Sequence, residues 1–107
     1  MNINKINFLK NELDKINIHF KKKNYLKVIK KSETLLKNNL NQHIIYNYIG
    51  LSYVEINNLD SARKIFLKAI ENDNLHASIF CNLGIVHKNL FLFSEAEKNF
   101  KKALELN

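Results

Sequence analysis

Four histidines, one cysteine and a run of three lysines are the residues with which this chain of 107 amino acids would do chemistry. His19, His43, His76 and His87 lie far apart, and none has a nucleophile, a carboxylate pair or a metal-ligating partner at useful spacing. Cys81 stands alone, so no internal disulfide can form, and no Cys or His cluster has zinc-ligand spacing. Both glycines fall inside predicted helices, which leaves no glycine-rich phosphate loop. No catalytic residue, cofactor or metal is therefore expected, and the chain reads as a non-enzyme. A lone cysteine suits a reducing compartment, so a cytoplasmic, soluble protein is expected.

What chemistry remains is electrostatic. Residues 1 to 40 hold ten lysines against Glu12, Asp14 and Glu33, whereas the cationic and acidic side chains of residues 41 to 107 balance. The whole net charge of +7 thus belongs to the first part of the chain, where it would attract an acidic peptide, a nucleic-acid backbone or an anionic membrane. In FKKKNY (Phe20 to Tyr25) the three lysines offer phosphate contacts and Tyr25 offers a base-stacking ring. Two features make nucleic-acid binding the lesser reading. This half of the chain has no arginine for bidentate phosphate contacts, and Tyr25 falls where Leu59 and Phe93 are expected to pack.

The elements that must position these side chains are helices. Apolar residues make up 46% of the chain, enough for a core, while two glycines and no proline leave too few turn formers for a sandwich or barrel. No stretch approaches the ~20 apolar residues of a membrane span, and the N-terminus lacks the apolar run of a signal peptide. The organisation is periodic. Between 43–73 and 77–107, eight positions are identical at a shift of 34, among them Gly50/Gly84, Ala62/Ala96, Phe66/Phe100 and Ala69/Ala103. Tyr46, Ile49, Gly50 and Tyr53 share one helical face, as do Ala62, Phe66, Ala69 and Ile70. Asp60 and Ser94 are expected N-caps, with Asn39 and Asp73 capping the helices that follow them. Gly50 facing Ala62 would let two antiparallel helices approach closely. The predicted helices are 4–22, 25–38, 42–57, 61–72, 75–91 and 95–106.

This pattern resembles the tetratricopeptide repeat: a large residue, Leu-Gly and Tyr in the first helix, then Ala, Phe and Ala in the second. Tyr46, Ile49, Gly50, Tyr53, Ala62, Phe66 and Ala69 carry it, and the next unit repeats it with His87 in the Tyr place. A weaker first repeat fits through Tyr25, Val28, Ser32 and Leu35. Its first helix fits, with Leu13, Ile16, Asn17 and Phe20, only if its turn is one residue shorter. The resemblance implies an all-α solenoid of about three antiparallel helical hairpins in a right-handed superhelix. One domain, 1–107, would contain repeats at about 10–42, 43–76 and 77–107.

It also implies a concave groove lined by the first helices, binding a peptide or a partner helix. The residues expected there are Lys15, Ile18 and Lys22 in the first unit and Asn47, Tyr48, Leu51 and Glu55 in the second. In the third they are Ser78, Cys81, Asn82, Ile85, Lys88 and Asn89. Amides would bond a peptide backbone and the apolar residues would form pockets. Some family members clamp a C-terminal carboxylate with Lys and Asn; Tyr48 and Leu51 occupy clamp places here, so no such clamp is expected. The expected ligand is a protein or peptide, of acidic character. Phe91 and Leu92 in a turn, and Leu104 and Leu106 on a last helix with no capping helix after it, are the expected surfaces for a homodimer. Phe93 is expected in the core, His87 as a half-buried packing residue and Cys81 as a small apolar groove or packing residue.

Overall fold

The computed structural model of the chain describes residues 3–37 and 42–107. Helical periodicity becomes six helices, α1 (Ile3–Lys21), α2 (Tyr25–Leu36), α3 (Gln42–Glu55), α4 (Leu59–Asn72), α5 (Ala77–Asn89) and α6 (Phe93–Leu106), with no strand among the described residues. Consecutive pairs form three hairpins, and each hairpin packs on the next through α2 against α3 and α4 against α5. The first helices also touch one another, α1 with α3 and α3 with α5. No second helix touches another second helix among the described residues. An arc whose odd helices are in contact and whose even helices are splayed has the odd helices on its inside. The fold is an all-α solenoid.

Each of the three hairpin turns is built alike. Lys23, Asn57 and Phe91, spaced by 34, adopt the left-handed conformation with φ of 64°, 60° and 63°. In each turn the next residue reaches back to close the helix: Asn24 N–H to His19 O (2.9 Å), Asn58 N–H to Tyr53 O (2.8 Å), Leu92 N–H to His87 O (2.8 Å). A shorter bond lies inside it, from Lys23 to Phe20, Asn57 to Val54 and Phe91 to Lys88. This is the Schellman ending, which satisfies carbonyls the helix would otherwise leave bare. Two expectations change as a result. The first turn is not one residue shorter, so Glu12, Ile16 and His19 stand in register with Tyr46, Gly50 and Tyr53. The following helices also start early, at Leu59 and Phe93, which moves Asp60 and Ser94 into the first turn. Asn58 caps α4 instead, accepting from Ser61 N–H at 3.2 Å.

Asp73 likewise closes its own loop, accepting from Leu75 N–H at 3.1 Å, while His76 is the N-cap residue of α5. The expected cap at Asn39 lies outside the described residues.

The core has two centres. Leu9, Ile16, Val28, Ile29 and Leu35 of the first hairpin pack with Ile45 and Ile49 of α3. Tyr46, Ala62, Phe66 and Ala69 of the second pack with Ile79, Leu83 and Val86 of the third. It is the Phe66 ring, rather than Ala62, that covers Gly50, and Phe100 covers Gly84 in the same way. At this crossing the first hairpin has exchanged its large and small residues: Ile16 stands in the glycine place and Ser32 in the phenylalanine place, both buried. Phe93, expected inside, is 61% exposed at the first position of α6, its ring edge to face with that of Phe91 in the turn.

Candidate functional site

The inner row of α1, α3 and α5 is tied together by side chains of the expected groove. Asn47 donates through Nδ2 to Ser78 Oγ (3.0 Å) and accepts at Oδ1 from Asn82 Nδ2 (2.8 Å), which bridges α3 to α5. Tyr48 donates its hydroxyl to Asn17 Oδ1 of α1 at 3.1 Å. The Phe20 ring meets both Tyr48 and Tyr25 edge to face, with centroids 5.7 and 5.4 Å apart. Burial, and after it the nearby Asp14 carboxylate, raises the Tyr48 pKa above its ordinary value, which keeps this hydroxyl a donor. Part of the amide capacity expected for a peptide is therefore spent in holding neighbouring helices in register.

Around this ladder the surface is mixed. Cys81 and Ile85 of α5 are exposed, Leu51 is half-buried, and Ser78, Glu55, Lys88 and Asn89 face solvent. In the first unit α1 reaches Tyr48 through Asn17 and Phe20. Lys15, Ile18 and Lys22 are exposed, and Lys15 pairs with Glu12 at 3.1 Å. The true length of the first turn displaces them by one residue around the helix. Asn17 and Phe20 were visible in the sequence as packing residues, and their part in this row follows only from the 34-residue register.

The other chemistry-bearing residues fall elsewhere. Tyr25 is half-buried against Phe20, and its hydroxyl lies by Glu55; burial, with Glu55 second, raises its pKa. That ring is committed to packing, so the lysine run has lost its base-stacking partner. His87 is buried rather than half-buried: Arg63 Nε–H donates to its Nε2 at 3.0 Å, which leaves Nδ1 to donate to Asn99 Oδ1 at 2.6 Å. Of the expected homodimer residues, Phe91 and Leu92 sit at the start of α6 and Leu104 and Leu106 near its end. A helix of this length separates them by roughly 20 Å, so the fold does not join them into one patch. Phe91 and Leu104 are 78% and 74% exposed, while Leu92 and Leu106 are half-buried.

One cluster was not foreseen. The His43 and His76 rings stack at 3.6 Å with an interplanar angle of 6°, and His76 Nε2 lies 2.9 Å from Asp73 Oδ2. They border a cavity of about 370 Å³ with Gln42, Tyr46, Ala69, Asn72 and Asp73. Within it Asn72 Nδ2 donates to Gln42 Oε1 and to Tyr46 Oη. Burial and then the adjoining His76 hold His43 below its ordinary pKa, and the Leu75 N–H followed by His76 holds Asp73 below its own. Their separation of 33 residues, one short of the repeat, hides the pairing in the sequence. Among the described residues no group of three His, Cys, Asp or Glu side chains is placed to hold a metal ion, and no helix is long and apolar enough to cross a membrane.

Stacked two-helix hairpins with a 34-residue period and an inner row of first helices define a helical-repeat protein. The tetratricopeptide repeat model matches residues 44–74 and 77–107, more than half of the sequence, and the chain belongs to the tetratricopeptide repeat family. It is similar in structure to the second TPR of Spaghetti (RPAP3), solved bound to the HSP90 peptide SRMEEVD. The TM-score there is 0.82 at 22% identity, over 92% of this chain and 86% of that one. It is also similar to MamA (AMB-1), with a TM-score of 0.71 at 24% identity, over 92% of this chain and 54% of that one. Those likenesses concern the fold. A stretch of 59 residues is 44% identical to the Homo sapiens protein O-mannosyl-transferase TMTC3 and takes in 54% of this chain, but the chain spans only 6% of that protein's length.

Proposed function

We propose that this chain is a non-enzymatic protein-interaction scaffold, a single three-repeat domain that binds a peptide segment or a partner helix on the inner row of α1, α3 and α5. The observation that carries the reading is the construction of that row. The Asn47–Asn82–Ser78 and Tyr48–Asn17 bonds fix the spacing of the helices. Between them they leave Cys81 and Ile85 outward, in an apolar strip bordered by Glu55, Lys88 and Asn89. A rigid surface with apolar anchors and a polar rim is the anatomy of an interface that binds without being reordered. The peptide bound by the second TPR of Spaghetti supports the same mode of use here. Tyr48 and Leu51 occupy places where a carboxylate clamp needs Asn, and of the clamp's members only Asn82 is legible in the sequence, so an internal segment is favoured over a chain terminus.

The test is affinity capture with the domain as bait, alongside Ile85→Lys and Cys81→Lys variants and a nuclease-treated control. Both variants change only outward side chains, so helicity and Tm should hold while protein capture is lost. Capture that survives both variants would refute the groove reading, and capture that nuclease removes would move the activity to the lysine-rich end.

A further inference from the structure

The first hairpin has an opening with apolar residues at its floor and lysines at its rim. Between the N-terminal half of α1 and the C-terminal half of α2 lies a groove of about 560 Å³, lined by Phe8 and Leu35 and rimmed by Lys5, Lys27, Lys30 and Lys31. In the 34-residue register residues 12, 46 and 80 are equivalent, and two of them, Tyr46 and Phe80, are buried aromatics. At the third place stands Glu12, a half-buried carboxylate in the groove's lining that pairs with Lys15 at 3.1 Å. The first hairpin thus lacks the bulky apolar side chain that the later two carry at this place, and Phe8 in the same lining is more than half exposed.

Charge says what kind of molecule would enter. Lys27, Lys30 and Lys31 lie along one exposed side of α2, and together with Lys22 their field reaches the neighbouring His19, whose pKa is lowered by burial first and then by Lys27, Lys31 and Lys22. The one acid in the lining, Glu12, is already paired with Lys15. An apolar floor of Phe8 and Leu35 under a lysine rim matches a helix with one apolar stripe and acidic flanks. We propose that the α1–α2 groove is a second docking site, distinct from the inner row, for an acidic amphipathic helix of a partner protein. That helix inserts from outside the large apolar side chain that Tyr46 and Phe80 supply from within in the later hairpins.

The experiment uses the full chain and a designed helical peptide with a Leu/Phe stripe and glutamate flanks, its binding followed by fluorescence anisotropy. Two control peptides replace the glutamates by lysine or the stripe by alanine. Glu12→Phe fills the gap from within; it should raise Tm and weaken the acidic peptide roughly tenfold to hundredfold, the worth of one buried large apolar side chain. Because it stabilises the fold, loss of binding cannot be ascribed to unfolding. Lys27→Glu/Lys30→Glu/Lys31→Glu should abolish binding without lowering helicity, and both control peptides should fail. Binding of the alanine-stripe peptide, or binding indifferent to Glu12→Phe, would overturn the site in favour of unspecific charge attraction. The proposal is equally overturned if the acidic peptide does not bind, including the case in which the chain instead takes up anionic vesicles or single-stranded nucleic acid through the same lysines.

Discussion

The close approach of paired helices makes a prediction that distinguishes two otherwise identical positions. A Cβ built on Gly50 overlaps the Phe66 ring at Cζ and stands 2.7 Å from Cε2; one built on Gly84 stands 2.6 Å from Cε1 of Phe100 and 2.8 Å from Cδ1. Carbon contacts are comfortable at about 3.5–4.0 Å, so either ring would have to retreat by roughly 1 Å to admit a methyl group. Phe66 is fully buried and shares its core with Tyr46, Ala62, Ala69, Ile79 and Leu83. It has nowhere to go. Phe100 is half-buried on the last hairpin and borders a cavity with Ala103 and Leu104, so it can swing outward.

Glycine to alanine within a helix gains about 0.5–1 kcal/mol from backbone entropy, against which overpacking costs ~1–3 kcal/mol. At Gly50 the cost wins, for a net loss of about 1–2 kcal/mol, or a fall in Tm of roughly 4–8 °C or somewhat more at this chain length. At Gly84 the two effects nearly cancel. The assay is thermal and urea unfolding by far-UV circular dichroism on both variants, with Gly50→Ala/Phe66→Leu as the third. The shorter leucine removes the clash, so the double variant should lose less than the sum of its single changes. If Gly50→Ala left Tm unchanged or raised it, the packing of Phe66 against a bare helix backbone would not be what holds the second hairpin.

Other outcomes follow from single sites. The lowered pKa values of His43 and Asp73 mean that the folded chain binds fewer protons than the unfolded one. Stability should therefore be full above 6.5, decline as pH falls through the His43 transition, and decline again below 3.8 at Asp73; His43→Gln should flatten the first decline in a plot of Tm against pH. Cys81 is exposed in the folded chain, so a maleimide should label it before unfolding, and the labelled protein should lose inner-row capture while keeping its helicity. Phe91→Asn should raise stability by about 0.5–1 kcal/mol in a urea titration, since the left-handed backbone there suits Asn better than an aromatic residue and the Phe91 ring is exposed.

The period of 34 made the helices and hairpins legible in the sequence, because Gly50/Gly84 and Phe66/Phe100 are paired solutions to one steric problem. What it concealed lay where side-chain chemistry and backbone conformation part company. Of Lys23, Asn57 and Phe91, only asparagine advertises a left-handed residue, so the common turn was missed and the first helix was placed one residue out of register. The displacement carried Lys15, Ile18 and Lys22 into the expected groove and left Asn17 with a purely internal role. The bonds of Asn47 with Ser78 and Asn82 join two first helices whose register Gly50 and Gly84 mark in the sequence. The His43–His76 stack was illegible because it joins the starts of two helices through a loop rather than through the repeat.

The first hairpin shows how a repeat can keep its backbone while changing what its surface does. Its turn matches those of the later hairpins, yet three registered positions differ: Ile16 for glycine, Ser32 for phenylalanine and Glu12 for the aromatic. The first two changes offset each other, since a large residue enters where a small one leaves, and both Ile16 and Ser32 are buried. The third has no such counterpart. A glutamate in that place gives up the apolar burial of a tyrosine or phenylalanine, worth roughly 1.5–3 kcal/mol, in the hairpin that also carries the chain's excess positive charge. Drift would be expected to scatter such losses among the repeats. Here an apolar floor and a lysine rim line one groove on the same two helices, a pairing of surfaces that fits an acidic amphipathic helix from outside.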